Sequence, residues 1–319
     1  MPSLTYQISH MQYDRTKQYR KEQYDKDGNL LTPANISTQS ERMYRDHAVK
    51  FGKWCKETYG CRTPEDCSHH IQDYADWLVS QRKSASTVHT YIAGVCRYFE
   101  IPMDTIKKPR RVTAENVRSR GCKAVDSRSD AKREASPRLF DFACVVGGRR
   151  SEFQALRKND FVQDESGYWC VRIRRGKGGK YQEQRLIKND VDFVKPYFDG
   201  SDDFIFSMTE MTNKIDLHHL RALYAQRAYS YYDEQIKDDA FRIQLINELR
   251  ARWEKYNNKK QWNPRVTHGY YYLRGANRVF AQAHGRPTRY SRLAVLATSV
   301  FMLSHWRCDV TIANYLLAI

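Results

Sequence analysis

The sequence has no long hydrophobic run. Its longest nearly apolar stretch, Leu293 to Leu303, covers eleven residues and includes Thr298 and Ser299. A bilayer-crossing helix needs about 20. The segment Met1 to Arg20 carries no apolar block either, so neither a signal peptide nor a membrane span is expected, and a cytoplasmic protein is. No C-x-x-C pair occurs among the eight cysteines. Cys55, Cys61 and Cys67, followed by His69 and His70, are spaced more widely than the short knuckles of structural zinc sites. Reduced, buried thiols are the expectation, with no metal and no cofactor. There is no internal repeat and no low-complexity block. The glycine-rich segment at 176–180 is not a phosphate-binding P-loop, because Lys180 is followed by Tyr181 instead of Ser or Thr.

Acidic residues are scarce beside basic ones. Across 319 residues, 54 Lys and Arg face 37 Asp and Glu, a formal charge of +17. With 41% hydrophobic and 13% aromatic residues the chain has material for real cores, and its length suits about two domains. A core-forming chain with so large a basic excess points to a polyanionic partner.

Residues 1–37 read as a polar arm with an Asp27-Gly28-Asn29 turn. From Ser40 onward, Tyr44, His47, Ala48, Phe51, Trp54 and Cys55 recur at helical steps. Thr63-Pro64-Glu65-Asp66 restarts a helix, whose stripe continues through Ile71, Tyr74, Leu78 and Val79. Ser84 or Ser86 caps a third, burying Val88, Tyr91, Ile92, Val95 and Phe99. These helices define a domain over 38–106. A basic linker at 107–127 follows, with Lys107, Lys108, Arg110, Arg111, Arg118 and Arg120 as candidate phosphate contacts. The second domain, 128–319, opens with a helix from about Ala131 to Val146. It then carries a β-hairpin in which Trp169, Val171 and Ile173 alternate with Cys170, Arg172 and Arg174 before a strand through Leu186 and Ile187. The rest is mainly helical, so the fold class is mainly α with a small β-sheet (α+β).

Four motifs stand in order along this second domain. They are Gly147-Gly148-Arg149-x-x-Glu152 with Ala155-Leu156-Arg157, then Gly176-Lys177-Gly178-Gly179-Lys180, then Tyr271-Tyr272-Leu273-Arg274, and finally Leu303-Ser304-His305 with Tyr315. In this order, behind a helical domain whose helix Ser84 to Phe99 is also similar, they resemble the boxes of the tyrosine recombinases, the phage integrase family. The resemblance covers roughly residues 36–319. It implies a helical core-binding (SAM-like) domain and a catalytic domain forming a C-shaped DNA clamp. It also implies a homo-tetramer of two dimers on double-stranded DNA with a specific core site, with accessory DNA-bending proteins as further partners. The implied activity is site-specific cutting and rejoining through a 3′-phosphotyrosyl intermediate and a Holliday junction.

The chemistry calls for these residue types. Cleaving a phosphodiester builds charge on the non-bridging oxygens, which two guanidiniums can clamp; the resemblance assigns these to Arg149 and Arg274. The departing 5′-oxygen needs a proton, which Lys177 is implied to supply. His305 would hydrogen-bond the phosphate, and Tyr315 would be the nucleophile. Since the bond energy stays in the phosphotyrosyl linkage, neither ATP nor a metal is required.

Three features depart from the family pattern. Tyr271 stands where the second box usually has His, on what reads as a buried helix; it is a phosphate-binding candidate or a packed tyrosine. His305 and Tyr315 are ten residues apart instead of nine, and the extra residue is expected in the Trp306-Arg307-Cys308 turn. Only four residues follow Tyr315. The interval 216–258 reads as a helical insertion, scaffold or contact surface. A type IB topoisomerase-like nicking and rejoining enzyme, or a DNA-binding regulator with degenerate boxes, are the alternative functions.

Overall fold

The structure is a computed structural model and describes residues 2–11, 20–24, 30–34, 38–111, 133–176, 181–256 and 261–317. Contacts divide the chain into two units, 1–23 with 30–112, and 24–29 with 113–319. The fold is mainly helical with small antiparallel sheets. Among the described residues no helix is long and apolar enough to cross a membrane.

The first unit is built on helices α1 (Leu4–His10), α2 (Thr38–Tyr59), α3 (Pro64–Ser68), α4 (Ile71–Ser80) and α5 (Ala85–Tyr98). Local chemistry sets their starts. The Thr63 hydroxyl accepts the Asp66 N–H at 3.2 Å while Asp66 accepts the Thr63 N–H at 3.0 Å, a reciprocal capping box. Ser84 caps α5 through the Thr87 N–H. Phe51, Tyr74, Leu78, Val88, Ile92 and Val95 close the core. Each fully buried aliphatic of this kind contributes about 1.5–3 kcal/mol. Val79, assigned inward from its spacing, instead faces out at 45% exposure. Ile71, Tyr74 and Leu78 already define α4's buried face, and Val79 lies a step beyond it.

The N-terminal segment also differs from an extended polar arm. Ser3 caps α1, and Leu4 and Ile8 of that helix are buried in the same core. Two apolar side chains one turn apart were enough to dock a short polar helix. β1 (Arg20–Tyr24) and β2 (Leu30–Ala34) pair as a two-stranded sheet. The start of the basic stretch lies along this unit: the Lys107 N–H donates to Gln72 Oε1 at 2.8 Å, and His89 Nε2 meets the Pro109 carbonyl at 2.9 Å.

In the second unit, β3 (Phe161–Gln163), β4 (Trp169–Ile173) and β5 (Gln182–Arg185) form an antiparallel sheet in sequence order. Val171 pairs with Phe161 on one side and Gln184 on the other. The second hairpin strand therefore ends before Leu186 and Ile187, which were expected within it. The first helix spans Pro137–Val145, beginning at a proline suited to a first turn. Phe142, Phe153, Phe206 and Leu220 lie in the core beside it.

The C-terminal third departs most from the expected run of α-helices. Tyr270–Tyr272 is a strand, β6, paired with β7 (Arg289–Ser291) so that Tyr271 faces Tyr290. Tyr271 therefore lies on a strand, not on a buried helix; aromatic residues favour a pleated, half-buried surface. Beyond it, helix Arg292–Ala297 continues as a π turn, Thr298–Met302, and helix Cys308–Thr311 as another, Ile312–Leu316.

Candidate active site

The glycine pair before Arg149 is required by close packing. A Cβ on Gly147 would lie 2.1 Å from the Tyr224 ring, and one on Gly148 would lie 2.4 Å from the Phe153 ring. The turn thus presses into the core and delivers Arg149 at the head of helix Arg150–Gln154. Glu152, 2% exposed, accepts the Arg149 backbone N–H at 2.7 Å and its guanidinium at 2.5 Å. The Arg149 side chain keeps 26% exposure.

Arg221, on helix Leu217–Gln235, is the residue around which the site assembles. It is 1% exposed. Its guanidinium donates to the carbonyls of Gly147 and, at 2.8 Å, of Leu303; its Nε donates to the Tyr315 hydroxyl at 3.4 Å. Glu152 lies 3.9 Å away. One planar fork therefore ties together the glycine turn, the turn before His305 and the π turn bearing Tyr315. Burial pushes the Arg221 guanidinium below its ordinary value, opposed by Tyr315.

His305 is held by a strained turn. Ser304 has φ 57°, the left-handed region that glycine occupies without cost. The Arg307 N–H donates to His305 Nδ1 at 3.3 Å, so the neutral ring carries its proton on Nε2. That nitrogen is buried and has no hydrogen-bond partner among the described residues, nor does Ser304 Oγ. Burial first, then the charges of Arg221, Arg149 and Arg307, lower the His305 pKa to about 4. The His305 and Tyr315 rings lie 6.4 Å apart between centroids, and His218 is 5.7 Å from Tyr315.

Tyr315 itself is buried, at 5% exposure. Its π turn is closed by the Leu317 N–H donating to the Ile312 carbonyl at 2.8 Å. A π turn takes one residue more than an α turn. The added residue between His305 and Tyr315 therefore has a place in the helix itself, and not only in the Trp306-Arg307-Cys308 turn where it was expected.

The structure thus brings Arg149, His305 and Tyr315 to one place through Glu152 and Arg221. It does not bring Arg274 there by any contact. Arg274 precedes helix Gly275–Ala283, and its exposed side chain has no hydrogen bond or ion pair among the described residues. Tyr271 is half-buried under the Arg292 guanidinium, 4.5 Å from its ring. Burial and then the Cys308 thiol raise its phenol to about 12. Lys177, Arg118 and Arg120 lie outside the described residues. Lys107, Arg110 and Arg111 are exposed, whereas the Lys108 ammonium turns back to the Met103 and Ile106 carbonyls. Sequence reasoning missed Arg221. Its one signal was position: an arginine on the stripe Leu217, Arg221, Tyr224, Ala228, where a helix otherwise buries apolar side chains.

No protein-family model matches the chain, and no curated protein matches it. Among solved structures, the crystal structure of XerA recombinase is similar to it at 16% identity, covering 60% of this chain and 78% of that one, with a TM-score of 0.22. A superposition this loose carries no argument about fold or activity.

Proposed function

We propose that this protein is a DNA strand transferase of the tyrosine recombinase type, with Tyr315 as the nucleophile. The observation that carries the reading is the convergence of Arg149, His305 and Tyr315 on the buried Arg221–Glu152 pair. Charge supports it. Around Tyr315 two arginines outnumber the one carboxylate beside a neutral histidine, so this largely buried site carries net positive charge suited to a phosphodiester. The unpartnered His305 Nε2–H is a donor for a phosphate oxygen, and Arg149 is the guanidinium open to solvent.

In the proposed step the Tyr315 oxygen forms a bond to phosphorus and the bond to the 5′-oxygen breaks. The phenol loses its proton and the 5′-oxygen gains one, so the exchange balances without a redox partner or a nucleotide. Lys177 is the proposed proton donor, and Arg274 the proposed second clamp. Since the Tyr315 hydroxyl is buried against Arg221, the nucleophile must turn outward before attack. A helical core-binding unit closing on DNA, assembly as a tetramer and passage through a Holliday junction belong to the same proposal.

The test is covalent capture on a nicked duplex that releases the short 5′-hydroxyl fragment. Wild-type chain should give a DNA-linked adduct whose peptide map ends on Tyr315, and Tyr315→Phe should bind DNA without forming it. Adduct formation that persists in Tyr315→Phe refutes the assignment.

A further inference from the structure

The first unit holds a cluster that plays no part in the chemistry above. The Sγ atoms of Cys55, Cys61 and Cys67 all lie within 4.8 Å of one another. Each comes from a different piece of chain: Cys55 from α2, Cys61 from the loop after Gly60, and Cys67 from α3. None is in a disulfide. From these positions we infer that Cys55, Cys61 and Cys67 form a three-thiolate site for a thiophilic d10 cation, zinc being the class that fits.

Geometry and chemistry support it together. A zinc–sulfur bond of about 2.3 Å puts the sulfurs of a tetrahedral site roughly 3.8 Å apart, so the cluster needs to contract by no more than about 1 Å. The loop can supply that movement, since Gly60 holds φ 72° and only Cys61 of the three has measurable exposure, 7%. Both ends of the loop are anchored. Tyr59 stacks on His70 at 3.8 Å and donates to Asp73 at 3.2 Å, and the Thr63–Asp66 capping box fixes α3. On binding, each thiol releases its proton to solvent as its sulfur donates an electron pair to the metal. One Zn2+ thus displaces up to three protons and leaves one negative charge. The fourth position falls to a solvent molecule on the Cys61 side. Zinc here would tie the end of α2 to α3.

The experiment uses the reduced, metal-stripped full chain, titrated with Co2+ and then Zn2+. One equivalent of Co2+ should produce thiolate-to-cobalt charge-transfer absorption and the intense visible bands of a tetrahedral centre, and one equivalent of Zn2+ should abolish both. Cys61→Ser should lose this uptake while Cys170→Ser keeps it. No stoichiometric uptake by the wild type, or uptake that survives in folded Cys61→Ser, overturns the site. A disulfide between two of the three cysteines, with no uptake after reduction, overturns it in favour of thiol redox chemistry. If Cys61→Ser does not fold, alkylation of the wild type decides. Zn2+ should slow labelling of Cys55, Cys61 and Cys67 together by about tenfold or more, relative to Cys144, and equal rates with and without Zn2+ refute the site.

Discussion

Replacing Arg221 by lysine keeps a positive charge in the pocket but removes the planar fork that reaches three acceptors. Arginine donates to the Gly147 and Leu303 carbonyls and to the Tyr315 hydroxyl. A hydrogen bond from a charged donor contributes about 1.5–3 kcal/mol, and the 3.4 Å contact to Tyr315 is the weakest of the set. An ammonium can keep one carbonyl and must leave the other buried without a donor. The expected loss is therefore about 2–3 kcal/mol. At roughly 2–4 °C per kcal/mol for a unit of this size, Tm should fall by about 5–10 °C. The same change frees the Tyr315 turn from the glycine turn. Covalent capture on the nicked duplex should then slow by about a hundredfold, the effect of a misplaced reacting group, while DNA affinity stays near wild type. Thermal unfolding followed by circular dichroism, run beside the capture assay, reads both quantities. An Arg221→Lys chain that melts within about 1 °C of wild type and captures DNA at the same rate would refute the role given to this arginine.

His305 carries a pH signature. Its pKa is about 4 when folded, against an ordinary value of 6.5, so below pH 6.5 the unfolded chain takes up a proton that the folded chain refuses. Its contribution is fully present above pH 6.5 and is lost as pH falls towards 4, by about 3 kcal/mol in all; denaturant titrations of wild type and His305→Asn should diverge over that window, and parallel curves would disprove the burial argument. Gly147→Ala drives a methyl into the Tyr224 ring, which should cost about 1–3 kcal/mol in the same titration. Tyr271→Phe, which removes a hydroxyl bonded to Cys308, should leave capture nearly unchanged; a loss comparable to that of Tyr315→Phe would return Tyr271 to the chemistry. DNA affinity should fall by orders of magnitude between about 50 and 200 mM salt if many phosphates are contacted, and a flat response in a filter-binding assay would count against a polyanion partner.

Short-range chemistry was legible in the sequence alone. The Thr63 and Ser84 caps, the buried faces of α2, α4 and α5 and the first hairpin strand all follow from residues within a turn or two of one another. Val79 and the early end of β5 fell on the wrong side because a stripe's edge depends on what packs against it. The larger departures all involve partners distant in the chain. Arg221 reads as one more base on a helix until the Gly147 and Leu303 carbonyls arrive to receive it. Tyr271 reads as helical until β7 supplies the pairing strand. The ten-residue step from His305 to Tyr315 gains a place inside the helix only when Leu317 bonds to Ile312 across a π turn. Cys55, Cys61 and Cys67 have no recognisable spacing, and only the packing of α2 against α3 brings their sulfurs together. Caps and periodicity are encoded locally because their hydrogen bonds and contacts are local. A buried charge, a strand pair or a thiol cluster is stable only when remote segments replace the water it gave up, and no local stretch of sequence records which segments those are.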